Sequence, residues 1–231
     1  MGAMHTVGMQ TLWAVIAVVY SAVIVFLTRW IHHRLRARGV ANNVAVYYNR
    51  KIVHMAAGGV VALAVPYLFT SPIYPLAVGL ALTLFTLVPH VSGRRLAWLQ
   101  TEENCNDVKF TLMWGVAIYV LWRLLDDPFL AILPPVFMAF GDGVTGVVRN
   151  ALFRRRTKSP IGNLFMLAVS IPAGFLLAGQ ASLPIPWWGL IAGVVASIIE
   201  RFELGPIDDN ILITVASSAV LLIGAHVGPL G

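Results

Sequence analysis

The sequence has few charged residues for its length. Asp, Glu, Lys and Arg make up 11% of the 231 residues, whereas a water-soluble domain carries about 25%. Hydrophobic residues make up 58%. This composition excludes an ordinary soluble domain and indicates that most of the chain faces a lipid bilayer.

Several other features are missing. Cys105 is the single cysteine, which excludes an intrachain disulfide. No stretch of about ten residues alternates strictly between polar and apolar residues, as the strands of a membrane barrel do. The sequence has no Walker A motif, no dinucleotide-binding glycine motif and no zinc-ligand spacing. We expect no cleavable signal peptide, because the first apolar run is long and lacks a basic leader.

Long apolar runs are abundant, and each run of roughly 20 residues can cross a bilayer as a helix. We predict an all-α fold, a polytopic transmembrane helical bundle that forms one domain over 1–231, with a peripheral first span and a core over 49–228. About eight spans are expected, at 8–28, 52–70, 72–91, 108–125, 128–148, 161–180, 187–200 and 211–228. The seventh is the shortest, and we expect it to be broken or tilted.

Most charged residues fall in the four loops that follow the odd-numbered spans. If the spans alternate in direction, 15 of the 16 basic residues share one face, and Arg123 lies on the other. This topology assigns Arg50 and Lys51 to the loop after span one and Arg149 to the loop after span five. The positive-inside rule makes the basic face cytoplasmic and places both termini on the non-cytoplasmic side. The rule does not explain the many acids on that face, which therefore indicate a polar site there.

Asp142 lies between Gly141 and Gly143, inside or at the end of span five. A carboxylate at membrane depth costs several kcal/mol unless it is paired, hydrated or bound to a metal. The flanking glycines allow a ligand or another backbone to come close. We expect Asp142 to be a magnesium ligand or a general base, with a simple helix cap at the water interface as the alternative.

A basic stretch follows Asp142 along the chain. Pro160 and Gly162 predict a turn and a new helix start, where free N–H groups and the helix dipole favour anions. Lys158 and Ser159 at this start are expected to hold a phosphate. The three arginines at 154–156 are explained as well by topology or by acidic lipid headgroups.

The segment NRKIVHMAAGG at 49–59 holds a third candidate set. If it is helical, Arg50, His54 and Gly58 lie on one stripe with Lys51 beside them. The simpler alternative is a collar of cations that reach the interface, with a hydrogen-bonded structural histidine.

Acidic residues precede the last predicted span. Asp208 and Asp209 begin that span, Asn210 follows them, and Glu200 is nearby. Carboxylates also cap helix N-termini, so capping remains an alternative. The set nevertheless consists of the hard oxygen donors that suit Mg²⁺ bound to phosphates. A weaker set, which either joins the site or keeps its loop hydrated, comprises Glu103, Asn106 and Asp107.

The order and spacing of these stretches resemble a known family. RKIVHMAAG resembles its early Arg-Lys-x-x-His-x-x-x-Gly motif, and IERFELGPIDDNILI resembles its late Glu followed by Asp-Asp-Asn. GDGVTGVVRNALFRRRTKSPIGNLFM resembles its Gly-Asp stretch and the Lys-Ser/Thr-x-x-Gly-Ser that follows. The family comprises the integral-membrane lipid-alcohol kinases that use CTP, namely dolichol kinase, phytol kinase and CTP-dependent diacylglycerol kinase, and it is distantly similar to the CDP-lipid synthases. The chain departs from the pattern at Asn150, where the family often has Gly, and at Asn163, where it has Ser.

The resemblance implies a phosphotransferase that transfers the γ-phosphoryl group of CTP to the hydroxyl of a membrane lipid alcohol, with Mg²⁺ as cofactor and a polyprenol or dolichol-type isoprenoid as the first expectation for the substrate. It implies metal ligation by Asp142, Asp208 and Glu200, and catalysis by Asp142 or Asp209 with the help of His54. The implied nucleotide-binding residues are Arg50, Lys51, Lys158, Ser159, Gly141, Gly143, Gly162 and Asn210.

Two other functions stay open. A CDP-lipid synthase would use the same nucleotide on a lipid phosphate and release pyrophosphate, and a small-solute transporter would line an ion path with the same charges. The expected partners are the bilayer, a lipid alcohol and a nucleoside triphosphate, without nucleic acid. The preference for CTP over ATP and the formation of a homo-oligomer stay open.

Overall fold

The computed structural model describes residues 6–102, 104–153, 157–202, 204–205 and 207–230. In these residues the regular structure is helical, apart from one β-bridge between Leu204 and Ile207, as the all-α prediction requires. The predictions for Glu103 and for residues 154–156 lie outside the described residues. The helices are α1 (Val7–Ala37), α2 (Asn42–Val53), α3 (Val60–Leu68), α4 (Ile73–Val91), α5 (Asn106–Leu125), α6 (Pro128–Ala131), α7 (Leu133–Val136), α8 (Asp142–Phe153), α9 (Pro160–Ala178), α10 (Pro186–Ile199) and α11 (Asp209–Val227).

Among the described residues, seven helical stretches are long and apolar enough to cross a membrane. Helix α10, at the predicted seventh span, is apolar but has only 14 residues. The stretches support a multi-pass membrane protein, whereas eight crossings stay a prediction. The seven are α1, Asn42–Leu68, α4, α5, Pro128–Phe153, α9 and α11.

Two segments of π-helix interrupt the stretches Asn42–Leu68 and Pro128–Phe153. The segment π1 (His54–Gly59) joins α2 to α3, and π2 (Phe137–Gly141) joins α7 to α8. They pack against each other, and a Cβ atom on Gly59 would lie 2.5 Å from the ring of Phe140. Such segments are rare and frequently occur at functional sites. Here π1 begins at His54 and π2 ends directly before Asp142, so both adjoin a residue singled out from the sequence.

Close helix crossings hold the bundle together. Helices α9 and α10 meet at Gly174 and Gly189, where a Cβ atom on either glycine would collide with the carbonyl oxygen of the other. Helices α4 and α5 meet at Gly79 and Gly115, where a Cβ on Gly79 would lie 2.6 Å from the Cα of Gly115. Small residues at such crossings let membrane helices approach closely, because lipid provides no hydrophobic force between them.

Both ends of the described chain lie at the same end of the bundle. The N–H of Thr70 donates to Gln10 near the start of α1 (2.9 Å), and Trp188 at the start of α10 donates to the carbonyl of Gly228 (3.0 Å). At this end the carboxylate of Asp127 accepts from the N–H and the hydroxyl of Ser182, each at 2.7 Å. The side of the membrane on which this end lies stays a prediction.

The structure corrects the predicted position of three cations. Helix α2 begins at Asn42 rather than near residue 52, and α8 continues to Phe153, so Arg50, Lys51 and Arg149 lie in helices and not in loops. Lys51 is 6% exposed and Arg149 is 2% exposed. Their charges therefore belong to the interior of the bundle, where a charged side chain requires a partner.

Candidate active site

A polar cavity of about 220 Å³ lies at the end of the bundle opposite the chain ends. Its walls come from α2, π1, α8, α11, the start of α5, the segments before α5 and α9, and the residue that follows α10. The cavity thus collects residues that are far apart in the sequence. The predicted site residues along its wall are Arg50, Lys51, His54, Asp142, Lys158, Glu200, Asp209 and Asn210.

The ammonium group of Lys51 donates a hydrogen bond to the carboxylate of Asp142. Gly146, one turn after Asp142, makes this approach possible, because a Cβ atom there would overlap the Lys51 side chain. Tyr47 covers the ammonium from the other side, with its ring centroid 5.2 Å away. The pair is a buried contact of opposite charges that joins α2 to α8.

Arg149 is a site residue that the sequence analysis did not single out. Its guanidinium donates to the carboxylate of Glu200 (2.7 Å), the carbonyl of Ser159 (2.9 Å) and the side-chain oxygen of Asn163 (3.0 Å). Because Arg149 follows Asp142 by two helical turns, the two lie on the same face of α8, and this spacing was the available signal. Arg149 fixes the chain between α8 and α9 to the end of α10.

Lys158 connects the other two acids of the cavity. Its ammonium donates to the carboxylate of Asp209 (2.8 Å), and to the carbonyl (2.7 Å) and carboxylate (3.2 Å) of Glu200. Burial disfavours its charged form, but the carboxylates of Asp209 and Glu200 outweigh burial and raise the pKa of Lys158 above its usual value. Lys158 therefore stays cationic at neutral pH.

Asp142, Glu200 and Asp209 place one carboxylate oxygen each within 4.8 Å of the others. Hard oxygen donors at this separation are the ligands that Mg²⁺ takes in proteins. The cluster differs from the predicted metal set in one residue, because Asp209 takes the position expected for Asp208. By donor type and separation, the three carboxylates fit a magnesium ion.

Asp208 faces away from the cluster. Its carboxylate caps α11 by accepting from the N–H of Ile211 (3.2 Å), and it lies 3.7 Å from the ammonium of Lys109. Burial raises the pKa of Asp208, and the nearby charge of Asp209 raises it further. The geometry matches the capping alternative for Asp208 and leaves Asp209 directed into the cavity.

Four of the predicted nucleotide-binding residues do not line the cavity, namely Gly141, Gly143, Ser159 and Gly162. Ser159 contributes its carbonyl to Arg149 instead. A Cβ atom on Gly162 would overlap Arg149, one on Gly143 would lie 2.6 Å from Met55, and one on Gly141 would lie 2.7 Å from Ser170. These glycines make room for protein side chains, so the structure gives them a packing role.

Several polar atoms along the cavity form no hydrogen bond within the described part of the chain. Buried polar atoms normally have a partner, so a group of orphans in one place indicates a polar ligand. Both ring nitrogens of His54 belong to this group, although Nδ1 lies 4.0 Å from the carboxylate of Asp142. The others are Nε of Arg50, Oγ1 of Thr101 and Oδ1 of Asn210.

No family model, curated protein or solved structure matches this chain. The likeness to the CTP-dependent lipid kinases thus rests on the sequence motifs alone and stays a prediction.

Proposed function

We propose that this chain is a kinase that transfers the γ-phosphoryl group of CTP to the hydroxyl of a membrane lipid alcohol, with a polyprenol or dolichol-type isoprenoid as the preferred substrate. The observation that carries the proposal is the convergence of three carboxylates and their cations on one polar cavity at the end of an apolar helical bundle. Phosphoryl transfer needs this inventory, since its catalysis consists mainly of positioning and charge stabilisation.

The cations of the cavity would hold the triphosphate. Lys51 and Lys158 are paired with carboxylates, and phosphate oxygens are equivalent acceptors for the same ammonium groups. Arg50 and Asn210 line the same cavity and carry polar atoms without partners among the described residues. The Nε of Arg50 can donate to a phosphate oxygen, and the Oδ1 of Asn210 can accept from a ribose hydroxyl. Arg149 would position Lys158 indirectly, because both bind Glu200.

The carboxylates would take the proton of the acceptor hydroxyl and bind the metal ion. The lipid hydroxyl oxygen attacks the γ-phosphorus, the bond from that phosphorus to the β–γ bridging oxygen breaks, and CDP leaves. The hydroxyl proton passes to the carboxylate of Asp142 or Asp209. Mg²⁺ at Asp142, Glu200 and Asp209 would stabilise the negative charge on the phosphate oxygens.

The membrane suits this reaction if the cavity end faces the cytoplasm. The positive-inside rule favours that orientation, and CTP would then reach the cavity from water while the lipid tail stays in hydrocarbon. We therefore place the proposed active site at the cytoplasmic face of an integral membrane protein.

Position-specific labelling of CTP tests the proposed function. Purified protein in detergent with Mg²⁺ is incubated with a polyprenol, phytol, a diacylglycerol or a lipid phosphate, and with CTP or ATP labelled at the γ- or the α-phosphate. We expect transfer of the γ-label to an alcohol, fastest to the polyprenol, and no transfer of the α-label. Transfer of the α-label to a lipid phosphate would identify a CDP-lipid synthase. No transfer of either label to any acceptor, with CTP or with ATP, would reject the proposal.

A further inference from the structure

A smaller cavity of about 50 Å³ adjoins the polar cavity and shares Arg50 and His54 with it. Its other walls expose almost only apolar atoms and come from α1, α2, π1, α3, α4, α5 and the loop before α5. The polar residues among them are Ser21, Thr86, Asp107 and Thr111. We call it the tail slot and define it by Val25, Ala57, Val61, Leu82, Phe85 and Trp114. It leads from the charged cluster towards the hydrophobic middle of the bundle, where Val61 and Trp114 lie.

His54 lies at the junction of the two cavities. It is 3% exposed, and its ring stacks on Phe110 with a centroid distance of 3.7 Å and an interplanar angle of 9°. Neither ring nitrogen has a hydrogen-bond partner among the described residues. A neutral imidazole carries one donor and one acceptor, and a hydroxyl group can satisfy either. The junction therefore fits the polar end of an amphiphile whose apolar part enters the tail slot.

The size of the slot limits what can enter it. One water molecule needs about 10–15 Å³ of such a cavity. The tail slot, at about 50 Å³, therefore has room for a few carbon atoms of one chain. Two hydrocarbon chains side by side would not fit. The outer wall is thin, because the Phe85 ring contacts Phe26 at a centroid distance of 6.2 Å, and Phe26 is 52% exposed on α1. A longer chain can therefore continue past Phe85 into the surrounding lipid.

We propose that the tail slot binds the first carbon atoms of a single-chain lipid alcohol and presents its hydroxyl between His54 and Asp142. The proposal rests on the proposed kinase function for the identity of the headgroup, and it adds the position of the acceptor and a preference for one chain over two. It assigns His54 to the acceptor alcohol, whereas the lysines serve the nucleotide.

Filling the slot tests this assignment. Ala57→Phe places a ring in the slot, and Val60→Phe places the same ring on the exposed face of the adjoining helix. Each buried methylene contributes a factor of about four in affinity. We therefore expect Ala57→Phe to lower kcat/KM more than about tenfold both for a polyprenol and for prenol, a short alcohol whose few carbon atoms occupy the same slot. Val60→Phe should leave both values unchanged.

A second measurement needs neither turnover nor a correctly folded variant. Wild-type protein is irradiated with a long straight-chain alcohol that carries a diazirine a few carbon atoms from its hydroxyl, and the adducts are mapped by mass spectrometry. We expect adducts on slot residues such as Ala57, Leu82 and Phe85, and competition by unlabelled polyprenol. Adducts confined to lipid-facing positions such as Phe26 and Val60 would overturn the proposal, as would unchanged polyprenol kinetics in a folded Ala57→Phe variant. Slot labelling without any phosphoryl transfer would instead reject the kinase function and leave the binding site standing.

Discussion

Replacing either Lys51 with Met or Asp142 with Leu will strongly destabilise the protein, and combining the two replacements will restore most of the stability without restoring activity. The two side chains form a buried ion pair between α2 and α8. Removing one partner leaves an uncompensated charge in the bundle, which costs about 3–5 kcal/mol. Apolar residues of similar size in both positions remove that penalty. Activity should fall at least about 10³-fold in all three variants, because Asp142 is a proposed ligand and base and Lys51 is proposed to hold the triphosphate.

The comparison of the two single variants with the double variant distinguishes an ion pair that only stabilises the fold from one that takes part in catalysis. Thermal unfolding in detergent gives the stability of each variant, and transfer of γ-label per folded molecule gives its activity. Asp127 supplies the matched control, since it is a buried carboxylate at the opposite end that bonds Ser182 and Leu130. Asp127→Asn should lower stability and keep the transfer rate. Recovery of activity together with stability in the double variant would show that the pair only supports the fold.

The second large effect is expected at Arg149. Arg149→Leu removes three hydrogen bonds and leaves the buried carboxylate of Glu200 with Lys158 as its cation partner among the described residues. We expect a loss of about 3–5 kcal/mol. Arg149→Lys keeps the charge but cannot form the planar fork, so its stability should be intermediate and its KM for CTP should rise as Lys158 loses its fixed position.

The control for Arg149 is the exposed Arg123 on α5. An exposed substitution away from special contacts changes stability by about 0.5 kcal/mol or less. Thermal unfolding of Arg149→Leu, Arg149→Lys and Arg123→Leu in the same detergent checks the prediction. Equal melting temperatures for the two leucine variants would contradict the structural role given to Arg149.

The sequence predicts well what depends on composition and local spacing. Long apolar runs predict the helices, Pro160 predicts the start of α9, and Asp208 with Asp209 predicts the start of α11. The depth of Asp142 in an apolar run predicts that it needs a partner. These features follow from residues that are neighbours along the chain.

The partners themselves depend on packing between distant segments. Lys51 and Asp142 are 91 residues apart, and no local pattern selects Lys51 over Arg50 as the partner of that carboxylate. The choice of Asp209 over Asp208 depends on which residue becomes the N-cap, because the capping side chain turns back to the N–H of Ile211. The π-helical segments have no local signature either, since they accompany the contact between Gly59 and Phe140.

Structure determination with Mg²⁺ and a non-transferable CTP analogue tests the central claim most directly, namely that one cavity holds the nucleotide and its metal. We expect the triphosphate within hydrogen-bonding distance of Lys51 and Lys158, and the metal at Asp142, Glu200 and Asp209. A nucleotide bound elsewhere would contradict the account. So would a cavity in which neither Lys51 nor Lys158 lies within hydrogen-bonding distance of the analogue at saturating concentration.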